Sequence, residues 1–440
     1  MAIKKDVVKV GYIGLGARGH NMLVNCFAKM NDVKIVYICD LYDDRIERVL
    51  KFYRENGLEI PNATKDYRDI IKDGDVDAVI NMTGWESHYE ITKASLLAGK
   101  YTAVEVGCLY SIKECWDLID AYETTGAPLM MLENCCYGRR EMAALNIAKK
   151  GLFGEIVHAS GAYCHYLPKV DLLKSFGEQR YKYRLFEYFN RNCEQYPTHA
   201  LLPVSKVLGI NRGNRFLTIN SVASKSRGLK DYINRFRSQD EEIIDKEVKQ
   251  GDIVNSVITC AGGETIALTL DTTLPRAYYS RGFSIRGTRG LCDEGRRVIF
   301  LDGMEEGIED NEKTVMEEHD HPLYREYNQG EAVGSHGGMD WLVSRAFIES
   351  VKAGVGTPID AYDTVLMMAI AALSEESILK GGAPVEFPDF TRGKWFRREP
   401  AIEQKYSLDV IFEDKDISIW GNYRKLASEK PKDEEKEKYN

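Results

Sequence analysis

Val7-Val8-Lys9-Val10-Gly11-Tyr12-Ile13-Gly14-Leu15-Gly16-Ala17-Arg18-Gly19 decides the fold of this chain. A short β-branched run ends in three glycines spaced G-x-G-x-x-G, and a helix-like segment follows at once. The glycine pattern alone is weak, because glycine-rich turns are common; a strand before it and a helix after it give it meaning. In that setting Gly14 permits the tight turn and Gly16 lets the backbone approach a pyrophosphate. Gly19 lets helix and strand pack closely, while the helix N-terminus faces the phosphates.

The same rhythm continues outward. Strand-like runs recur at 33–39, 78–82, 101–105 and 128–132, separated by amphipathic stretches such as 89–98 and 112–124, with Gly99 and Gly126 as stops. Short strands alternating with helices specify βαβ units, so residues 1–141 are expected to form an α/β Rossmann domain with a doubly wound parallel sheet. Beyond Glu141 the strand-like segments lengthen, at 156–163, 216–223, 255–260, 264–270 and 283–286. They predict a C-terminal α+β domain over 142–427 built on a largely antiparallel sheet and closed by two helices at 339–353 and 361–379. The Lys/Glu/Asp-rich segment 428–440 reads as a solvated tail.

Asp40 ends the second strand-like run, 21 residues beyond Gly19. A carboxylate there accepts hydrogen bonds from adenosine ribose hydroxyls and repels a 2′-phosphate, which favours NAD over NADP; Arg45, five residues on, tempers that discrimination. Ligands of a doubly wound sheet lie beyond the strand ends, so 81–88 and 105–108 should line the same crevice. The bland alternative is loop polarity with a helix cap at Ser87. Charge narrows the partners. With 59 Lys and Arg against 68 Asp and Glu the net charge is −9, which disfavours nucleic acid and anionic membranes and favours a small ligand. Ten cysteines without a C-x-x-C pair, no apolar run of spanning length and no leader-like start lead us to expect reduced thiols and a cytoplasmic protein.

With Gly14-Leu15-Gly16-Ala17-Arg18-Gly19, Trp85-Glu86-Ser87-His88 and Glu105-Val106, the chain resembles the Gfo/Idh/MocA oxidoreductase superfamily. Later segments narrow the resemblance: Leu132-Glu133-Asn134-Cys135-Cys136-Tyr137, Gly151 to Ile156, Tyr196-Pro197-Thr198-His199, Ile210 to Gly213, Gly251 to Ile253, His336 to Asp340 and Phe387 to Thr391. Together they are similar to glycoside hydrolase family 109, known for NAD-dependent α-N-acetylgalactosaminidases. The resemblance implies an open C-terminal sheet, a tightly held NAD that is not consumed, and a small carbohydrate or glycan substrate; it leaves a homo-oligomer open. Cofactor contacts would fall on Ala17, Arg18, Asp40, Trp85, Glu86, Ser87, His88, Glu105, Val106 and Asn134. Substrate contacts would fall on Tyr163, Arg184, Tyr196, Pro197, Thr198, His199 and Tyr278. Three departures bear on the substrate. Glu105-Val106-Gly107 stands where the superfamily has Glu-Lys-Pro, Tyr183 where a Trp commonly precedes the arginine, and Ala200-Leu201-Leu202 where glycines commonly follow the histidine.

The implied chemistry is a redox route to glycoside cleavage, outside the usual two-carboxylate scheme. C3 of the sugar is oxidised, the acidified C2 proton is removed, the C1 group is eliminated, water adds, and C3 is reduced again. His199 suits the proton transfers because imidazole titrates near neutrality. Tyr137, Tyr163 and Tyr196 are further acid/base candidates, and Arg184 can fix a sugar oxygen with its forked donors. No metal is expected: His319-Asp320-His321 lacks a third ligand at recognisable spacing, and Asp340 reads as a first-turn acid of a helix. The competing readings are an NAD-dependent sugar or inositol dehydrogenase and a non-catalytic sugar sensor. Asp40→Ala is expected to weaken NAD binding by about 2–3 kcal/mol and relax discrimination against NADP, as read by titration with both dinucleotides; unchanged NAD affinity would remove the ribose role.

Overall fold

The computed structural model describes residues 5–174, 183–329, 333–398 and 404–411 with positions 424 and 426; the expected tail at 428–440 lies outside them. Six strands, β1 (Val8–Ile13), β2 (Val33–Cys39), β3 (Asn62–Thr64), β4 (Ala78–Asn81), β5 (Tyr101–Val104) and β6 (Leu129–Met131), form one sheet in the order β3-β2-β1-β4-β5-β6. Every pairing is parallel. Strands buried on both faces need continuous apolar runs, and β4 and β6 are buried throughout. The chain order reverses between β1 and β4, which opens a crevice beyond their carboxyl ends. β3 was not expected: Asn62-Ala63-Thr64 is short, largely exposed and lacks an apolar pattern.

The second sheet has eight strands: β7 (Ile156–Cys164), β8 (Phe216–Ala223), β9 (Ile253–Cys260), β10 (Thr265–Asp271), β11 (Ser284–Gly287), β12 (Gly290–Asp293), β13 (Val298–Leu301) and β14 (Val385–Glu386). Their order is β13-β12-β11-β7-β10-β9-β8-β14. All pairs are antiparallel except β7 with β10. Alternation in β9 buries Val254, Ser256, Ile258 and Cys260 on one side and leaves Val257 on the other. Against the covered face lie helices Thr198–Val207, which meets β7, and Ala361–Leu379, which meets β8. Helices are more numerous here than the sequence pattern suggests, and Arg139–Lys149 crosses the expected boundary at 141/142. Among the described residues no helix is long and apolar enough to cross a membrane.

Helix Ala361–Leu379 also packs on β6. Met131 N–H donates to Thr364 Oγ1 at 3.0 Å and Thr357 Oγ1 donates to the Leu129 carbonyl at 2.6 Å, so two threonines satisfy the outer edge of the parallel sheet. The helix Met339–Ala353 is fastened to the loop before β2. Arg345, 1% exposed, donates to both Asp32 oxygens at 2.7 and 3.1 Å, and Lys352 reaches the same carboxylate at 2.6 Å. Burial opposes the Asp32 charge, but the two cations hold its pKa below the ordinary carboxylate value. A depressed acid stabilises the fold above its unfolded pKa, and that contribution is lost as pH falls through the folded value. Asp32→Asn is expected to cost about 3 kcal/mol because it leaves the buried Arg345 and Lys352 with Glu349 as their remaining anion, and to flatten the acid limb of the stability curve; thermal melts from neutral pH downward read both effects.

Candidate active site

The glycine turn is built for close approach. Gly14 has φ +95°, and a Cβ there would lie 2.5 Å from the Met82 carbonyl carbon; a Cβ on Gly19 would lie 2.0 Å from the Gly14 oxygen. A Cβ on Gly16 would meet nothing nearer than Arg45 Nη1 at 3.8 Å, so that face of the backbone is open. Helix Ala17–Asn25 begins there with neither a side-chain cap nor an acid in its first turn, leaving its N–H groups for an anion. Asp40 follows β2. Its Oδ2 accepts from Leu15 N–H at 2.7 Å and its Oδ1 from Tyr42 N–H at 3.1 Å, while Arg45 stands 3.4 Å away. A carboxylate has about four lone-pair sites, so Asp40 can hold the turn and still receive ribose hydroxyls. These features fit a dinucleotide.

The neighbouring strand ends add a buried wall. Trp85 opens the helix Trp85–Leu97, and its indole donates to the Val106 carbonyl at 3.2 Å. A Cβ on residue 107 would lie 2.4 Å from that indole, which accounts for Gly107. His88 Nε2 lies 3.1 Å from the Thr83 carbonyl, so this nitrogen carries the proton, and Nδ1 is a buried acceptor without a partner. Burial pushes the His88 pKa down to about 4, keeping the ring neutral. Glu86 is exposed, whereas Ser87 is half-buried with its N–H on the Gly84 carbonyl.

Arg18 and Asn134, both expected at the cofactor, converge on Asp340. Arg18 grips both Asp340 oxygens at 2.8 Å and approaches Glu105 at 3.3 Å; Asn134 Nδ2 and His336 Nδ1 reach the same carboxylate at 2.8 Å. Burial opposes the Asp340 charge, yet Arg18 and His336 hold its pKa far below the usual carboxylate range. Burial raises the Glu105 pKa despite Arg18. Asp340 is thus the centre of a charged hub rather than a simple first-turn acid.

The second side of the site stands on the first turn of helix Thr198–Val207, which starts after Pro197. His199 Nδ1 lies 2.8 and 2.9 Å from the two oxygens of Glu133, a carboxylate fully buried two residues beyond β6. Burial works against the Glu133 charge, but His199, Thr198 and the Cys135 N–H hold its pKa below the ordinary value. Because Glu133 accepts at Nδ1, that nitrogen carries the proton and Nε2 is left to exchange one. An aromatic cage surrounds the ring: Tyr196 lies 4.9 Å and Tyr163 5.9 Å from it between centroids, and Tyr163 and Tyr196 are 4.4 Å apart. Arg184 lies 4.6 Å over Tyr196 and 5.3 Å over Trp85, bonds Asp171 at 3.1 Å, and keeps a buried Nε without a partner. Burial pushes Tyr163 up to about 12 and raises Tyr196 as well, so both hydroxyls stay protonated near neutrality.

Two expected residues are not brought to this cluster. The Tyr137 hydroxyl is buried and donates to the Tyr406 carbonyl at 2.9 Å, which uses its proton elsewhere. Tyr278 is 69% exposed under Arg276; its neighbour Tyr279 joins the cage instead, 6.0 Å from Tyr163. Sequence reasoning missed Glu133 as His199's partner, although it stands beyond β6 as Glu105 stands beyond β5 and the strand-end rule applies equally to both. It also missed Tyr279 and Arg281. His321 caps the helix Pro322–Asn328, its Nδ1 accepting the Leu323 N–H at 3.2 Å, while its Nε2 is buried without a partner.

Comparison with known proteins bears on the family and the fold. Residues 137–397 match the glycosyl hydrolase 109 C-terminal domain, and residues 8–133 match the oxidoreductase family NAD-binding Rossmann fold. The chain is similar to an α-N-acetylgalactosaminidase of Tannerella forsythia, with 36% identity over 417 residues covering 90% of this chain and 89% of the relative. A glycosyl hydrolase family 109 protein of Stenotrophomonas maltophilia is 36% identical over 423 residues, covering 91% and 93%. Among solved structures, a levoglucosan dehydrogenase in complex with NADH and levoglucosan shares the fold, with TM-score 0.64 at 18% identity over 87% of this chain and 100% of that one.

If Glu133 sets the His199 tautomer, Glu133→Gln should lower kcat by about 10² with little change in KM and shift the pH profile that reports His199, while Glu133→Asp restores part of the rate. Equal kcat and an unmoved profile would make Glu133 a packing residue.

Proposed function

The chain belongs to glycosyl hydrolase family 109, and from that premise we propose that it cleaves α-N-acetylgalactosaminides or a related hexosaminide by the redox-elimination route. It is a glycosidase with an NAD-binding Rossmann domain. The observation that carries the reading is the Glu133–His199 pair at 2.8 Å inside the tyrosine cage, beside the dinucleotide crevice.

Bound NAD supplies a hydride acceptor and donor, so that sugar C3 passes through a ketone and is restored. The open backbone at Gly16, the first turn of helix Ala17–Asn25 and Asp40 would hold the dinucleotide, with Trp85 and Val106 walling the crevice. His199 Nε2 takes the proton that becomes labile on the sugar, and Glu133 keeps the ring in the tautomer that can do so. Tyr196, kept protonated by burial, supplies a proton to the leaving oxygen. Arg184 Nε, a buried donor without a partner, orients an acyl or ring oxygen. The buried rings of Trp85 and Tyr163 thin the water around these transfers, which strengthens each of them. We place the enzyme in the cytoplasm, supported by ten buried cysteines with none paired.

The test is an aryl α-N-acetylgalactosaminide given to purified protein. Release of the phenol without net NADH supports the glycosidase, whereas NADH with a ketone product supports a dehydrogenase. His199→Ala is expected to cut turnover by ~10²–10⁴ while the protein still folds and keeps its NAD, with a lowered melting temperature because buried Glu133 loses its partner; a rate above a tenth of the parent's would make His199 structural.

A further inference from the structure

We propose that Glu133, Cys135 and His199 form a binding site for a thiophilic divalent cation such as Zn²⁺, and that its occupation shuts the enzyme off. The carboxylate, thiol and imidazole ligand atoms all lie within 4.8 Å of one another. They come from the segment after β6 and from the first turn of helix Thr198–Val207, so the set is absent from any short sequence pattern. Zinc binds these three ligand types at about 2.0–2.3 Å, so the Cys135 sulfur closes in while the Glu133–His199 pair, 2.8 Å apart, opens to admit the ion. Three protein ligands leave a fourth position for water or a substrate oxygen.

The surroundings suit an ion that arrives and leaves. Glu133 and Cys135 are buried, and His199 is the partly exposed member through which a cation can enter. Arg281 Nη1 sits 3.6 Å from the Cys135 sulfur and Nη2 is anchored on Glu141. A guanidinium in that place stabilises the thiolate once it forms. Binding then displaces protons with the cation: the Cys135 S–H proton leaves to solvent, the imidazole proton passes from Nδ1 to Nε2 so that Nδ1 can coordinate, the metal–nitrogen and metal–sulfur bonds form, and no electron moves. The charges of Glu133 and the new thiolate balance the dication, leaving the buried cluster better compensated than either charge would be alone. The Cys135 side chain has no part in the proposed glycoside chemistry, whereas Glu133 and His199 carry it. A bound ion therefore removes the base and its partner together. That last consequence rests on the proposed function; the binding itself does not.

The cofactor-bound protein, stripped with a chelator and dialysed, is titrated with Co²⁺ and then with Zn²⁺. One equivalent of Co²⁺ should produce a thiolate-to-cobalt charge-transfer absorption that Zn²⁺ abolishes, and Zn²⁺ should suppress glycoside turnover until the chelator restores it. Cys135→Ala and Cys135→Ser should lose the absorption and bind Zn²⁺ at least about tenfold more weakly, while unliganded turnover and melting temperature stay at parental values. His199→Ala should also lose tight binding. Absence of the cobalt absorption in the parent, or its persistence in the cysteine variants, overturns the proposal. If the parent cleaves no glycoside, the absorption and the metal stoichiometry still decide the site, so failure of the glycosidase reading is told apart from failure of this one.

Discussion

The fork between Arg18 and Asp340 holds the two halves of the catalytic crevice in register. Arg18 belongs to the helix that leaves the glycine turn, and Asp340 to the first turn of helix Met339–Ala353, 322 residues away in sequence. Asn134 and His336 complete the carboxylate's shell, so Asp340 is buried with its charge fully answered. With the Ser335 hydroxyl as its fourth partner, this buried acid is rigid, because removing any one leaves the remainder uncompensated in a low dielectric. Through Asn134 that rigidity passes to its neighbour Glu133, and from Glu133 to His199. The glycine-turn side and the Glu133–His199 side of the site therefore share one electrostatic anchor.

This arrangement accounts for how unevenly the sequence could be read. The parallel sheet is legible because buried strands must be apolar and the glycine spacing is strict; only β3, a polar edge of three residues, escapes. In the second sheet the longer strands show their alternation, whereas β12, β13 and β14 are at most four residues and too short to display a period. Helix Thr198–Val207 is masked by Pro203, which lacks the N–H that would reach the His199 carbonyl. His199 was singled out through the family resemblance and its chemistry. Its partner was not, because a carboxylate beyond a strand end looks the same whether it faces a ribose, an arginine or an imidazole. Tyr278 and Tyr279 show the finest limit: adjacent tyrosines point to opposite sides of a chain segment, and no periodicity says which faces inward.

The departures from the family pattern also become physical. Gly107 is required by the Trp85 indole rather than left over from a lost proline. Tyr183 stacks edge-on against Trp85 at 5.4 Å, so its phenol fills the wall that Arg184 leans on. Ala200 packs its methyl 2.5 Å from where a Cβ on Gly161 would stand, which couples the helix bearing His199 to the strand bearing Tyr163. Each change sits where one wall meets the next.

The two threonines that seal β6 carry a consequence for biosynthesis. Met131 is satisfied by a residue 233 positions later, and Leu129 by one 228 positions later. At roughly 5–20 residues per second of synthesis, the ribosome takes roughly 10–50 s to deliver Thr364 after β6 has emerged. For that interval the nascent Rossmann sheet has an apolar, unpaired strand edge of the kind that recruits other strands. The N-terminal half can acquire its topology early, but it cannot be left alone, and holdase chaperones or crowded neighbouring chains will compete for that edge until the C-terminal helix arrives.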